Sequence, residues 1–295
     1  MSTTSTRARA TQPSGSAGRF ATPAAVNVVL VVATLYFLLP VFWLFVASTK
    51  SRSDLVTSFG FWFANPQLLD NLRALFAEQD HVFAAWMFNS VLYSGGGALI
   101  GTVLSATAGY ALAVYSFRGR ELVFGIILGS VLVPATALAL PTFLLFARVG
   151  LTNSYWSVLL PSIVSPFGVY LCRVYTTAAV PRELIEAARV DGAGELRIFL
   201  TIASRLISPA LVTVFLFAFV GIWNNFYLPL IMLQDDRLYP VTLGLFSWQS
   251  QLSRDPQLLI LIVVGSMVSV LPLIVTFLSL QRYWRAGLSA GSVKA

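Results

Sequence analysis

Gln257-Leu-Leu-Ile-Leu-Ile-Val-Val-Gly-Ser-Met-Val-Ser-Val-Leu-Pro-Leu-Ile-Val-Thr-Phe-Leu-Ser-Leu280 contains no Asp, Glu, Lys, Arg or His. About 20 apolar residues in a helix cross the hydrocarbon core of a bilayer. Five further runs of this kind precede it, at residues 24–46, 88–115, 122–147, 152–172 and 206–233. The first is too long for a signal-peptide core and has no A-x-A site after it, so it reads as a retained helix. The reading is an all-α polytopic membrane protein with six transmembrane helices over residues 24–281. A polar cytoplasmic tail, 1–23, precedes them and another, 282–295, follows them.

Composition excludes most other classes. Of the 295 residues 57% are hydrophobic and 11% charged, and the mean hydropathy is +0.79. Soluble domains carry about 25% charged residues, so this chain has too little polar surface for water. One cysteine, Cys172, and one histidine, His81, leave no disulfide framework and no metal site. The two lysines, Lys50 and Lys294, stand outside any G-x-x-x-x-G-K-[ST] context, so the chain has no P-loop for ATP. A net charge of +7 reads as arginine-rich cytoplasmic loops, not as a nucleic-acid surface.

An even number of spans puts both termini on one side. With them inside, the inner segments hold Arg7, Arg9, Arg19, Arg118, Arg120, Arg173, Arg182, Arg189, Arg197, Arg205, Arg282, Arg285 and Lys294. These are 13 of the 19 basic residues. The positive-inside rule therefore gives an N-in, C-in topology. Trp43, Trp62, Trp86, Trp156, Trp223 and Trp284 fall near span ends, as interfacial aromatics do. Pro134 and Pro141 sit seven residues apart on one face, Pro161 and Pro166 interrupt the fourth run, and Gly95–Gly97 and Gly101 offer faces for close helix contact.

The absence of ionisable groups in the six runs argues against a proton-coupled transporter, which needs a titratable group at membrane depth. It leaves no catalytic set for an intramembrane enzyme. The remaining polar groups are neutral: Asn89 with Ser90, and Asn224 with Asn225 beside Trp223, Phe226 and Tyr227. Buried amides are costly unless bonded. Either they make interhelical hydrogen bonds, or they line a path for a solute whose hydroxyls they can bond.

The longest inner connection is 173–205. Its centre reads Pro181-Arg-Glu-Leu-Ile-Glu-Ala-Ala-Arg-Val-Asp-Gly-Ala-Gly194. Pro181 can open a helix, and Gly192 and Gly194 can end it at positive φ. Ile198, Phe199, Ile202 and Leu206 then mark one face of a second helix. The small pair Ala187-Ala188 lets the first helix lie close against a partner.

Glu186-Ala-Ala-Arg-Val-Asp-Gly192 followed by Ile202 resembles the EAA loop of ABC importer permeases, and most of all the carbohydrate-importer family that includes the second membrane subunit of the maltose transporter. Phe117-Arg-Gly-Arg120, Val133-Pro134, Leu151-Thr-Asn153, Ser165-Pro-Phe-Gly-Val169, Pro209-Ala-Leu211 and Trp223-Asn224 are similar to family patterns, in family order. One departure is Ser204-Arg205, where the family usually has Leu-Pro, so the kink after the second helix is expected to differ. The resemblance implies the type I ABC importer permease fold in a bacterial plasma (inner) membrane. It implies a second, similar permease, two ATPase subunits that bind the EAA loops and hold ATP and Mg, and an extracytoplasmic solute-binding protein. No cofactor belongs to this chain. Glu186, Ala187, Ala188, Asp191 and Gly192 are then coupling residues, and Asn224, Asn225 and Asn89 possible pathway residues. The substrate implied is a sugar. A glycerol phosphate derivative is the alternative, with Arg148 or Arg173 to meet the phosphate, and a stand-alone secondary transporter is the less favoured one.

Overall fold

A computed structural model of the chain describes residues 22–290. Every regular element among them is helical. Helix α1 (Thr22–Ser48) leads to the short α2 (Arg52–Thr57) and α3 (Leu68–Ala77). Helix α4 spans Val82–Val114, with a π turn at Leu92–Gly96. Then come α5 (Arg120–Ser130), α6 (Ala135–Arg148) and α7 (Tyr155–Ala179). The segment 180–207 forms α8 (Arg182–Val190) and α9 (Glu195–Leu206). Helices α10 (Ser208–Trp223), α11 (Tyr227–Met232), α12 (Val241–Ser250) and α13 (Leu258–Ala290) complete the chain.

Four of these helices, α1, α4, α7 and α13, are long and apolar enough to cross a membrane unaided. Two of the six expected spans are bent pairs. Helices α5 and α6 meet at 101°, and α9 and α10 at 81°. The first bend falls at Pro134, which caps α6 with extended dihedrals (φ −60°, ψ 126°) and has no N–H to continue the hydrogen bonding of the helix before it. Pro134 and Pro141 therefore do not share a face of one helix, as their spacing alone had suggested. At the second bend Ile207 leaves helical geometry and Pro209 starts α10, so a kink is present even with Ser204-Arg205 in place of Leu-Pro. The sixth helix has no end near 281. It continues to Ala290.

Helix α4 lies at the centre, packed mainly against α7 and α10. Its approach to α7 is set by small residues. A Cβ at Gly109 would stand 2.6 Å from the Cys172 Cβ and 2.8 Å from the Arg173 amide nitrogen, and one at Gly101 3.0 Å from the Ile163 carbonyl oxygen. The small face on α4 thus runs through Gly101 and Gly109, whereas Gly95 faces open space. Between α4, α10, α12 and α13 sits an aromatic core. In it Trp86 and Trp248 approach to 4.7 Å between ring centroids, and Phe219 stacks on Trp223 at 5.8 Å. Trp86 and Trp223 are thus core residues, not interfacial ones. Trp43, Trp62 and Trp156 do stand exposed, and the Trp284 side chain lies outside those described.

Candidate functional site: the α8–α9 loop and the amide break

Helix α8 starts after Pro181, whose φ of −62° and ψ of 137° cap it, and ends in a complete Schellman motif. The Gly192 amide donates to the Arg189 carbonyl at 3.0 Å, and the Ala193 amide to the Ala188 carbonyl at 2.9 Å. Gly192 takes φ +79°, as the turn requires. Gly194 does not share this role, because its φ of −71° places it as the extended cap of α9.

The underside of α8 is apolar. Ile185 and Ala188, one turn apart, are buried against Tyr110, Val180, Ile198, Ala203 and Ile207. Glu183, Glu186, Ala187 and Asp191 face outward. The structure therefore divides the Ala187-Ala188 pair. Ala187 belongs to the bare upper face, and Ala188 is part of the packing that holds the helix in place. In α9 the π turn Phe199–Ala203 adds one residue to the helical repeat. Ile198 is buried and Phe199 and Ile202 pack on its cluster, as their spacing predicts, but the buried series continues through Ala203 to Ile207 and leaves Leu206 exposed.

An ionic clasp joins the loop to α4. The Glu195 carboxylate accepts from Arg189 Nε at 2.6 Å and from the Tyr115 hydroxyl at 2.6 Å. Arg189 is in the last turn of α8, and Tyr115 caps the C-terminus of α4. The bond from Arg189, followed by that from Tyr115, holds the Glu195 carboxyl below the usual carboxylate range. A depressed pKa stabilises the loop above the unfolded value, about 4.3, and that contribution is lost as pH falls below it. The loop of the membrane-embedded chain should loosen on acidification into this range. In Glu195→Gln that step of the pH profile should be missing, and the fluorescence anisotropy of a probe on Val190→Cys, in a Cys172→Ala background, reads it across pH.

A second clasp ties α7 to α5. Arg173 Nη2 donates to both Glu121 oxygens, at 2.7 and 3.0 Å, and its guanidinium sits 3.8 Å from the centroid of Phe124. Arg173 is thereby tied to α5 through Nη2, while its buried Nη1 has no hydrogen-bond partner among the described residues. Arg148 is exposed in the last turn of α6.

On the opposite side, one stripe of α4 grips the segment between α11 and α12. The Trp86 indole donates to the Asp236 carbonyl at 2.7 Å, and Asn89 Nδ2 to the carbonyls of Arg237 and Tyr239 at 2.7 and 3.1 Å. The Tyr93 hydroxyl donates to the Leu238 carbonyl at 2.9 Å, and the Val241 amide to Ser90 Oγ at 2.7 Å. Asn89 Oδ1 accepts from the Tyr155 hydroxyl at 3.2 Å. Asn89 is buried and fully used in this strap, so it lines no open space within the chain. The i, i+3, i+4, i+7 spacing of Trp86, Asn89, Ser90 and Tyr93 was the available signal. Asn153, at φ +52°, closes the same region by accepting from the Gln234 and Asp235 amides through Oδ1, both at 2.9 Å.

Asn224 and Asn225 lie not inside a helix but at the break between α10 and α11. Asn224 is exposed, and its Nδ2 donates to the Val220 carbonyl of its own helix at 2.9 Å. Asn225 Oδ1 accepts from the Leu228 amide at 3.4 Å. Neither side chain bonds to another helix among the described residues.

A sequence profile described as the binding-protein-dependent transport system inner membrane component matches residues 101–289, a stretch that includes both the loop and the amide break. The chain belongs to this family. It is 34% identical over 272 residues to the arabinooligosaccharides transport system permease protein AraQ of Bacillus subtilis (strain 168), covering 92% of this chain and 95% of that one. It is 31% identical over 269 residues to the lactose transport system permease protein LacG of Rhizobium radiobacter, covering 90% and 94%. Among solved structures it is similar to a chain of a bacterial ABC transporter involved in the import of the acidic polysaccharide alginate. The TM-score is 0.76 at 25% identity, over 88% of this chain and 96% of that one. The architecture is accordingly the type I ABC importer permease fold, with four candidate spans, or six if each bent pair is one span. Such a permease is a transport subunit of the inner membrane.

Proposed function

We propose that this chain is one of two permease subunits of an ATP-driven, binding-protein-dependent importer for a sugar. It crosses the membrane six times with both termini inside and forms half of the translocation pathway. Two ATPase subunits bind the EAA loops, one on each permease, and an extracytoplasmic binding protein delivers the solute. The observation that carries this reading is α8. It is a short helix with a buried apolar underside, an outward face of Glu186 and Ala187, and a turn at Gly192 that aims it. Sugar as the substrate class is supported by the relatives named for arabinooligosaccharide and lactose transport and by the uncharged amide break.

The test is assembly and sidedness. Co-expressed with its partners, the chain should copurify with a second permease and ATPase subunits. In a Cys172→Ala background, cysteines at Ser58 and Ser250 should react with an impermeant thiol reagent in intact cells. Cysteines at Ser16 and Ser292, which lie outside the described residues, should not. The reverse pattern would place α8 on the wrong side for an ATPase.

The amide break gives a second expectation. With its local bonds, Asn224 can lose its side-chain amide without exposing a buried partner on another helix. Asn224→Leu or Asn225→Leu should lower sugar uptake several-fold while assembly and binding-protein-stimulated ATP hydrolysis persist. Wild-type uptake in both variants would remove the break from the pathway.

A further inference from the structure

Between α12, the first turns of α13 and the break after α10 lies an open cavity of about 360 Å³. Phe226, Phe246 and Leu245 form its apolar walls, and Thr242, Gln249 and Ser266 its polar ones. The two phenyl rings meet edge to face, with centroids 4.8 Å apart and planes at 70°. Thr242 Oγ1 donates to the Asn225 carbonyl at 3.2 Å, which joins the cavity floor to the amide break.

The polar groups are unequal in a telling way. Nearby helical serines return their hydroxyls to the backbone: Ser247 donates to the Gly244 carbonyl and Ser269 to that of Ser266, at 2.7 and 2.8 Å. Among the described residues, no side-chain hydrogen bond holds the half-buried Ser266 hydroxyl or the exposed Gln249 amide, and both line the cavity. Each can donate and accept, which matches a ligand hydroxyl that does the same. No lining residue carries a charge. An apolar wall with a few convergent polar groups, at the small end of the ligand-pocket range of about 300–1,000 Å³, is the composition of a binding site.

We propose that this cavity is a subsite for one neutral ring of the transported sugar, with the C–H face of the ring against Phe246 and its hydroxyls on Gln249 and Ser266. The proposal deepens the sugar-importer reading and rests on it. A charged solute is disfavoured, because nothing in the lining would offset its desolvation.

The test uses the assembled transporter with its binding protein in nanodiscs, in a Cys172→Ala background. Arabinotriose, raffinose and maltotriose serve as probes, and the one that stimulates ATP hydrolysis is carried forward. Ser266→Cys, with Gln249→Cys as an independent second position, is labelled with an impermeant thiosulfonate while the complex is trapped with ATP and vanadate. The stimulating sugar should slow labelling several-fold at both positions and leave Ser250→Cys, on the exposed end of α12, unchanged. Labelling at 266 and 249 that is unaffected by that sugar, or that fails altogether, would overturn the subsite while the importer reading stands. Absence of stimulation by any of the three probes would refute the sugar-importer reading itself, and the subsite with it.

Discussion

Gly192→Val is expected to abolish uptake while leaving the chain in the membrane at near-normal abundance. The reason is conformational, not steric. Gly192 sits at φ +79°, and a Cβ built there meets nothing within 4 Å. The entire cost therefore comes from the left-handed backbone, roughly 1–2 kcal/mol for an ordinary residue and more for a β-branched one. That is too small to unseat hydrophobic spans. Within α8 it acts on the two bonds that end the helix, from the Gly192 and Ala193 amides, and so on the direction of the face that carries Glu186 and Ala187. Gly194→Val is the matched control. Its φ of −71° and ψ of 156° suit valine, and its Cβ also meets nothing, so uptake should stay close to normal. Ala187→Trp and Ala188→Trp separate the two faces in the same assay. The first should assemble and fail to couple, because Ala187 is exposed. The second should disorder the loop, because Ala188 packs beneath it. Equal uptake in Gly192→Val and wild type would show that α8 is not a coupling element.

The contrast between the two glycines marks how far the sequence could be read. Uncharged runs located the membrane-crossing regions because burial in lipid is decided by composition over some 20 residues. The break at Pro134 was legible as a proline, but its consequence was not. Whether a helix kinks by a few degrees or folds back by 101° depends on what its two halves pack against. Trp86 and Trp223 were misassigned to the interface because position along a span says nothing about which neighbour covers a side chain. Here the cover comes from α12 and α13, far away in sequence. The π turn at Phe199–Ala203 was illegible in principle: it shifts the buried face from Leu206 to Ile207 without any residue that demands it. Of the site, the α8 helix and Gly192 could be found from local rules. The Glu195 clasp could not, because it joins residues 80 apart in the chain.

A large structural effect is expected from a residue that touches neither the loop nor the amide break. Gly109 lies where α4 crosses α7, and a Cβ there would stand 2.6 Å from the Cys172 Cβ, 2.8 Å from the Arg173 nitrogen and 3.0 Å from the Cys172 carbonyl carbon. Two of those three atoms are backbone, so no rotamer change can relieve the contact. The helices must separate. Small residues at such crossings are what lets membrane helices pack, since lipid supplies no hydrophobic drive between them. Separation at Cys172 also drags Arg173, and with it the ion pair to Glu121 and the stacking on Phe124 that fix α5. Overpacking alone costs about 1–3 kcal/mol, and Gly109→Leu adds the loss of that clasp. The variant should be degraded or should melt well below the wild type in a detergent thermal-shift assay read by size-exclusion chromatography. Gly125→Leu and Gly129→Leu make the same chemical change on α5 where a Cβ meets nothing within 4 Å, and they should leave the melting temperature nearly unmoved. A wild-type melting temperature for Gly109→Leu would mean that α4 and α7 do not cross at this point.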